Sequence, residues 1–196
     1  TYQAPEKTET KKDEKKKDEK KKRKAGKEPD AEQSEHLLES TESGAAARLI
    51  SALVLDGTGN IARSIKITQP CSIELEYEVL KPNLRIEPAL HVKNENGDFL
   101  FVVAFTDEEF PEAINEVGTY KSIAHVPGNL LNEGLHYVST VMSTADPLVR
   151  HETVDPAVSF SVYDVIEDPS KVARGRYARN FPGGLRPLLD WKTEKK

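Results

Sequence analysis

The sequence predicts an all-β domain: an antiparallel β-sandwich, with a closed barrel as the alternative, preceded by a charged segment unable to pack. Three observations predict it. From residue 48 onward, β-branched and aromatic runs are broken by Gly, Pro, Asn or Asp at intervals of roughly 8–15 residues. One run, Cys71 to Leu80, alternates without fault, with Ile73, Leu75, Tyr77 and Val79 on one face and Glu74, Glu76 and Glu78 on the other. Period 2 with acids opposite apolars means one face buried and one in water. Finally, no long stretch places apolar residues at helical spacing.

Charge divides the chain before any element is placed. The 196 residues carry 28 Lys+Arg against 33 Asp+Glu, for a net charge of −5. Residues 1–43 hold 12 of the basic and 12 of the acidic residues, and Tyr2 is their only aromatic. The run Lys12-Asp13-Glu14-Lys15-Lys16 repeats at once as Lys17-Asp18-Glu19-Lys20-Lys21. Chain entropy of about 1–2 kcal/mol per residue goes uncompensated without apolar burial. Residues 1–43 are therefore expected to be a largely disordered or partly helical linker. The i,i+4 pairs Asp13–Lys17, Asp18–Lys22 and Glu19–Arg23 would support local helix by a few tenths of a kcal/mol each. A patch for anionic lipid headgroups at Lys20 to Lys24 is the lesser reading. Residues 44–196 are expected to form the domain.

Several classes are excluded. A lone Cys71 cannot make an internal disulfide or a Cys-rich zinc site, and it fits a reducing compartment. The longest apolar run, Phe99 to Phe105, is far short of the ~20 residues a membrane helix needs. No signal segment opens the chain. Phosphate-loop, dinucleotide, metalloprotease and nucleophile-elbow motifs are missing, so no catalytic site, metal or cofactor is expected. Net acidity argues against nucleic-acid binding.

Strands are expected over 48–55, 61–68, 71–80, 89–94, 98–106, 119–126, 135–143 and 157–166. Asp56-Gly57-Thr58-Gly59-Asn60 closes the first, and Lys81-Pro82 the third. Asn96-Gly97 predicts a tight hairpin with positive φ at both residues. Asp107 to Glu116 reads as an acidic loop, and Ala145-Asp146-Pro147 as a break. Residues 44–170 carry 8 basic and 19 acidic residues, whereas 171–196 carry 8 and 2. The basic end is therefore expected to lie against the acidic body, of this chain or a neighbour.

The runs Tyr77-Glu78-Val79, Asn94-Glu95-Asn96-Gly97-Asp98-Phe99-Leu100-Phe101 and Leu130-Leu131-Asn132-Glu133-Gly134-Leu135-His136-Tyr137-Val138 occur in that order. Phe160-Ser161-Val162-Tyr163-Asp164 and a Gly183-Gly184-Leu185-Arg186-Pro187-Leu188-Leu189-Asp190-Trp191 close follow. Together, over about residues 48–191, they resemble the C-terminal carbohydrate-binding domain of the Wzt-type ATPase subunit of ABC transporters that export O-antigen and related polysaccharides. The opening Thr1-Tyr2-Gln3 is similar to the end of such an ATPase module. The resemblance implies an immunoglobulin-like sandwich, a homodimer with C-terminal strand exchange in some members, and a polysaccharide ligand. It also implies cytoplasmic placement beside the ATPase module and the transmembrane subunit. The competing class is a dimerisation module with little sugar binding.

Sugar recognition needs planar hydrogen-bonding groups for hydroxyls and an apolar or aromatic platform for the C–H face. Alternation offers Glu76, Glu78, His91, Lys93, Lys121, His125, His136, Thr140 and Tyr163 as wet-face candidates. For each taken singly, a solvated strand face is the plainer account. A metal held by His91, His125 and His136 has no support in their spacing. Tyr77 and Tyr137 read as core, and Trp191 as a packing residue of the last strand. Arg174, Arg176 and Arg179, which flank Tyr177, read as a charged interface or loop, with a clamp for phosphate or acidic sugars as the lesser reading. Asp146, Glu152 and Asp155 offer a weak acid–base reading for glycoside cleavage.

Overall fold

Alternation governs the structure as it governs the sequence. The protein is described here by a computed structural model, over residues 44–105, 116–165, 174–177, 179 and 181–196. The charged segment 1–43 and most of the acidic loop 107–116 lie outside these residues. Among the described residues there are eight strands. They are β1 (Ala47–Asp56), β2 (Ser64–Lys66), β3 (Cys71–Val79), β4 (Glu87–Lys93), β5 (Phe99–Ala104), β6 (Gly118–Val126), β7 (Gly134–Ala145) and β8 (Leu148–Tyr163). They form two sheets, β1-β3-β6 and β2-β8-β7-β4-β5, which makes the all-β sandwich. Every pairing is antiparallel except that of β2 with β8.

The core lies between the sheets. β3 sends in Ile73, Leu75, Tyr77 and Val79, all at 2 % exposure or less. Val92 of β4, Val138 and Met142 of β7, and Phe160 of β8 meet them from the other layer. Each such side chain contributes roughly 1.5–3 kcal/mol by leaving water. Tyr77 stacks on Tyr120 of β6, with ring centroids 5.9 Å apart. Burying a tyrosine on β3 therefore also fixes β6.

Three local expectations are corrected. β2 is shorter than the expected 61–68 run because Ile61 bridges back to Leu55. That bridge closes a turn in which one Asp56 carboxylate oxygen accepts from Thr58 N, Thr58 Oγ1 and Asn60 N. β8 begins at Leu148 rather than 157, because Asp146-Pro147 is a two-residue hairpin turn, with Ala145 opposite Leu148. Pro156 is tolerated within β8 because Ser139 of β7 faces the whole of 155–157. A residue without an N–H sits in that bulge without costing a ladder bond. The Asn96-Gly97 hairpin has positive φ only at Gly97 (84°). Gly97 N donates to Asn94 O, and Asn94 N to Asp98 O. This is a three-residue loop with a glycine bulge.

The basic end does lie against the acidic body, within the same chain. Arg186 N donates to Leu130 O, and Asn132 N to Gly184 O. The Arg186 side chain, 1 % exposed, reaches Asp164 Oδ2 at 2.8 Å and Glu133 Oε2 at 3.2 Å. Arg174 pairs with the same two carboxylates. Past Arg186 the chain runs extended and exposed. Trp191 is 89 % exposed, so it packs no strand of its own subunit.

Removing one member of a buried ion pair costs about 3–5 kcal/mol when it strands the other; here Arg174 still reaches Asp164, so the loss is smaller. Arg186→Ala is therefore expected to lower the urea midpoint, by less than that equivalent. The double change Arg186→Met with Asp164→Leu should recover most of the loss. Equal losses in the single and double variants would show that the pair's charge is not what matters.

Candidate functional site

The candidates fall on three different surfaces. Glu76, Glu78, Lys121 and His125 lie on the outer face of the three-stranded sheet, where register sets Glu76 opposite Lys121 and Glu78 opposite Thr119. Most of them are engaged there. Glu78 accepts from Arg48 at 2.7 Å, Lys121 pairs with Glu74 at 2.8 Å, and His125 Nδ1 meets Ser72 Oγ at 2.9 Å. The hydrogen bond and charge of Glu74 raise the Lys121 pKa.

His136 and Thr140 are corrected. Both were expected on a wet face, yet they are 2 % and 0 % exposed and point inward. The His136 ring stacks on Phe160 with centroids 5.6 Å apart, and its Nδ1 lies 3.1 Å from Gly134 O. Thr140 Oγ1 donates to Ala89 O. Burial lowers the His136 pKa from its ordinary value. The parity was misread because both rows of β7 mix polar and apolar side chains: Leu135, Tyr137, Ser139 and Val141 against His136, Val138, Thr140 and Met142.

The outer face of the five-stranded sheet assembles a polar and aromatic patch. His91 and Lys93 project from β4, opposite Ser139 and Tyr137 of β7. The hairpin bulge sets Phe99 of β5 directly opposite Lys93. Phe99 is 60 % exposed. The His91 ring meets it edge-on at 5.6 Å, and Lys93 Nζ sits 5.0 Å from its centroid. The β8 bulge carries Asp155 over Ser139, whose hydroxyl donates to it, and Lys93 Nζ reaches the same carboxylate at 2.5 Å. Those two hydrogen bonds, Lys93 first, hold the Asp155 pKa below its ordinary value.

The patch thus joins an exposed ring to a fixed carboxylate, an ammonium and an imidazole, the chemistry that hydroxyls and sugar C–H faces require. Of the candidates, His91 and Lys93 belong to it. Tyr163 shares the outer face but stands at the β2 edge of β8. Sequence reasoning missed Phe99, Ser139 and Asp155 as one group, and it placed Tyr137 in the core. The signal that would have found Phe99 is the hairpin loop length, which sets its partner.

A second concavity, of about 560 Å³, opens at the sheet end between the 94–98 turn and residues 132–136 and 181–184. A third, of about 640 Å³, is an apolar groove between the β5 and β6 edges, lined by Leu75, Tyr77, Leu90, Val103 and Tyr120 among others. His91, His125 and His136 lie on an outer face, the opposite outer face and the core, so they do not converge. Neither do Asp146, Glu152 and Asp155. Glu152 points inward to accept from Leu49 N, Asp155 points outward, and Asp146 lies in the hairpin turn. Among the described residues no helix is long and apolar enough to cross a membrane.

The crystal structure of the C-terminal domain of Wzt matches this chain with a TM-score of 0.60 at 14 % identity, covering 77 % of this chain and 85 % of that one. The fold is that of the Wzt C-terminal domain. A Bacteroides uniformis β-glucuronidase matches with a TM-score of 0.38 at 12 % identity, over 54 % of this chain and 12 % of that chain. The B. uniformis β-glucuronidase 2 covalently bound to cyclophellitol-6-carboxylate aziridine gives 0.37 at 12 % identity, over the same shares. No family model and no curated protein matches.

The folded state keeps His136 neutral, so its pKa lies below the unfolded value of about 6.5. The unfolded chain then binds more protons as pH falls below 6.5, and stability drops until the folded pKa is passed. The Asp155 pKa is depressed, so its contribution is lost only as pH falls below about 4. Thermal unfolding of the wild type should therefore show one step of falling Tm starting near pH 6.5 and a second on further acidification. Burial lowers the His151 pKa as well, so His151 adds to the first step, and His136→Gln should reduce that step without abolishing it and leave the second. An unchanged first step in that variant would place the titrating group elsewhere.

Proposed function

We propose that this domain is a non-catalytic carbohydrate-binding module that recognises a polysaccharide for export by an ABC transporter, on the cytoplasmic side of the membrane. In this reading, residues 1–43 link residues 44–196 to an ATPase module. The observation that carries it is the outer-face patch in which Phe99, His91, Lys93, Ser139 and Asp155 come together. Phe99 offers a stacking surface at the rim, and the Asp155 carboxylate, held by Lys93, faces hydroxyl donors. Bound glycan would influence transport only by favouring one transporter conformation over another. No bond-making group is required of the patch. Its ammonium and carboxylate are already paired, which suits holding a ligand more than transferring protons.

The test is calorimetric titration of the full chain with surface polysaccharide purified from its source. Saturable binding is expected for the wild type. Phe99→Ala and Lys93→Ala should each weaken it about tenfold or more, equivalent to roughly 1.4 kcal/mol. Because Phe99 is mostly exposed, its variant should keep the wild-type Tm. Unaltered binding in both variants would remove the patch from consideration.

A second reading, assembly of a homodimer, is favoured by one specific observation. Leu188, Leu189 and Trp191 are 48, 61 and 89 % exposed near the C-terminus, while a groove rich in apolar side chains runs between β5 and β6. In this reading the tail of one subunit occupies the groove of another, as strand exchange in the resembled family implies. Trp191 is the only tryptophan, so its fluorescence reports on this directly. Emission is expected to shift to shorter wavelength as concentration rises, in step with dimer mass by light scattering. Truncation after Pro187 should give a monomer. A dimer that survives truncation would move the interface elsewhere.

A further inference from the structure

The 560 Å³ cleft at the sheet end is used by neither of these readings. One wall is the 94–98 turn. The other is Asn132 to His136, with Phe181 and Gly183 laid across it by the C-terminal segment. The polar groups in it are mostly hydrogen-bond acceptors. Asn132, 6 % exposed, spends its amide N–H groups on Phe181 O at 2.8 Å and Gly183 O at 2.6 Å. Its Oδ1 is buried and has no partner. Buried acceptors are rarely left unmade, so this one calls for a donor arriving from the cleft.

The charge in the cleft is also one-sided. Glu133 is compensated by Arg174 and Arg186, which share Asp164 with it. Asp98 receives only the Asn94 amide, at 3.0 Å. Glu95 stands exposed at the mouth, close enough to His136 to pull the imidazole pKa upward against burial. Two carboxylates thus face the opening without a cation opposite them among the described residues. The Phe181 ring adds an apolar lining, with the Arg186 guanidinium 5.7 Å from its centroid.

We propose that this cleft is a second carbohydrate pocket, taking one hydroxyl-rich sugar unit that is uncharged or carries an amine, and rejecting sugars that bear carboxylate or phosphate. Asn132 Oδ1, Asp98 and Glu95 accept from hydroxyl or ammonium donors, and Phe181 lies against the ring. The volume is in the range usual for small-ligand sites. The inference rests on the glycan-binding reading in its ligand class but not in its location, which is at the sheet end and not on the outer face.

The test uses the full chain, isotope-labelled, with glucosamine, glucose and glucuronic acid as probes that share one ring and differ in charge. Saturable shifts are expected in the Asn132 side-chain amide and the Gly134 and Gly183 backbone signals. Binding should be at least about tenfold tighter for glucosamine than for glucuronic acid. Glu95→Gln, a change on the exposed turn, should bring glucosamine down toward glucose without altering Tm. No saturable shift at these signals with any probe, or glucuronic acid binding as well as glucosamine, would overturn the inference. Titration with the source polysaccharide separates the two ideas. Shifts at Phe99 and Lys93 with silence at Asn132 would reject this pocket and leave the outer-face reading standing, and silence at both would reject both.

Discussion

The buried pair between Arg186 and Asp164 is the constraint on which the sheet-end geometry depends. Both side chains are 1 % exposed, so neither charge is solvated by bulk water. Such a pair holds when further polar contacts offset the desolvation. Here they do so only in part, since Asp164 Oδ1 and Arg186 Nε have no hydrogen-bond partner among the described residues. Asp164 Oδ2 is shared by two guanidinium groups, and Glu133 binds the same two from the other side. The result is a four-membered knot that ties the end of β8 to the β6–β7 connection and to the C-terminal segment. Backbone bonds from Arg186 to Leu130 and from Asn132 to Gly184 run beside it. Once these are fixed, Phe181 and Gly183 have one place to go, over Asn132.

The two outer faces share an architecture and differ in what their side chains have left to offer. On the three-stranded sheet, Arg48 answers Glu78, Lys121 answers Glu74 and Ser72 answers His125. Exposed pairs of this kind add little stability, but they use up hydrogen-bonding capacity across the face. On the five-stranded sheet, Asp155 is likewise held by Lys93 and Ser139, but an exposed ring stands beside it. There, polar groups of fixed direction stand next to an apolar platform. The difference comes from two bulges, one in β8 that brings Asp155 over Ser139 and one in the β4–β5 hairpin that brings Phe99 over Lys93.

Much of the fold was legible because β3 states it plainly. Five apolar side chains alternate with polar ones there, and every one of the five is buried. The sandwich, the positions of most strands and the approach of the basic end to the acidic body all followed from patterns of that sort. Where both rows of a strand mix polar and apolar residues, as in β7, pattern carries no sign, and His136 and Thr140 were placed on the wrong side. The hidden half of β8 was lost for a different reason. Asp146-Pro147 and Pro156 read as breaks, but the first is a turn within a hairpin and the second sits in a bulge. The patch itself was half legible. His91 and Lys93 come from parity on one strand, whereas Asp155 and Phe99 join them through irregularities that no periodicity encodes. Trp191 reads as a packing residue because large aromatic rings usually are, yet it is 89 % exposed and no strand among the described residues receives it.

The three-residue hairpin loop decides which side chains of β5 stand on the outer face. With Glu95, Asn96 and Gly97 in the loop, Phe99 stands opposite Lys93 on the outer side, and the ladder irregularity at Leu100 lets both Leu100 and Phe101 pack against the core. Side chains on a strand alternate in direction, so a slip of one residue in β5 inverts every one of them. A single-codon insertion or deletion at the turn would thus exchange an aromatic ring for an aliphatic chain beside Lys93, and remodel the mouth of the sheet-end cleft in the same event.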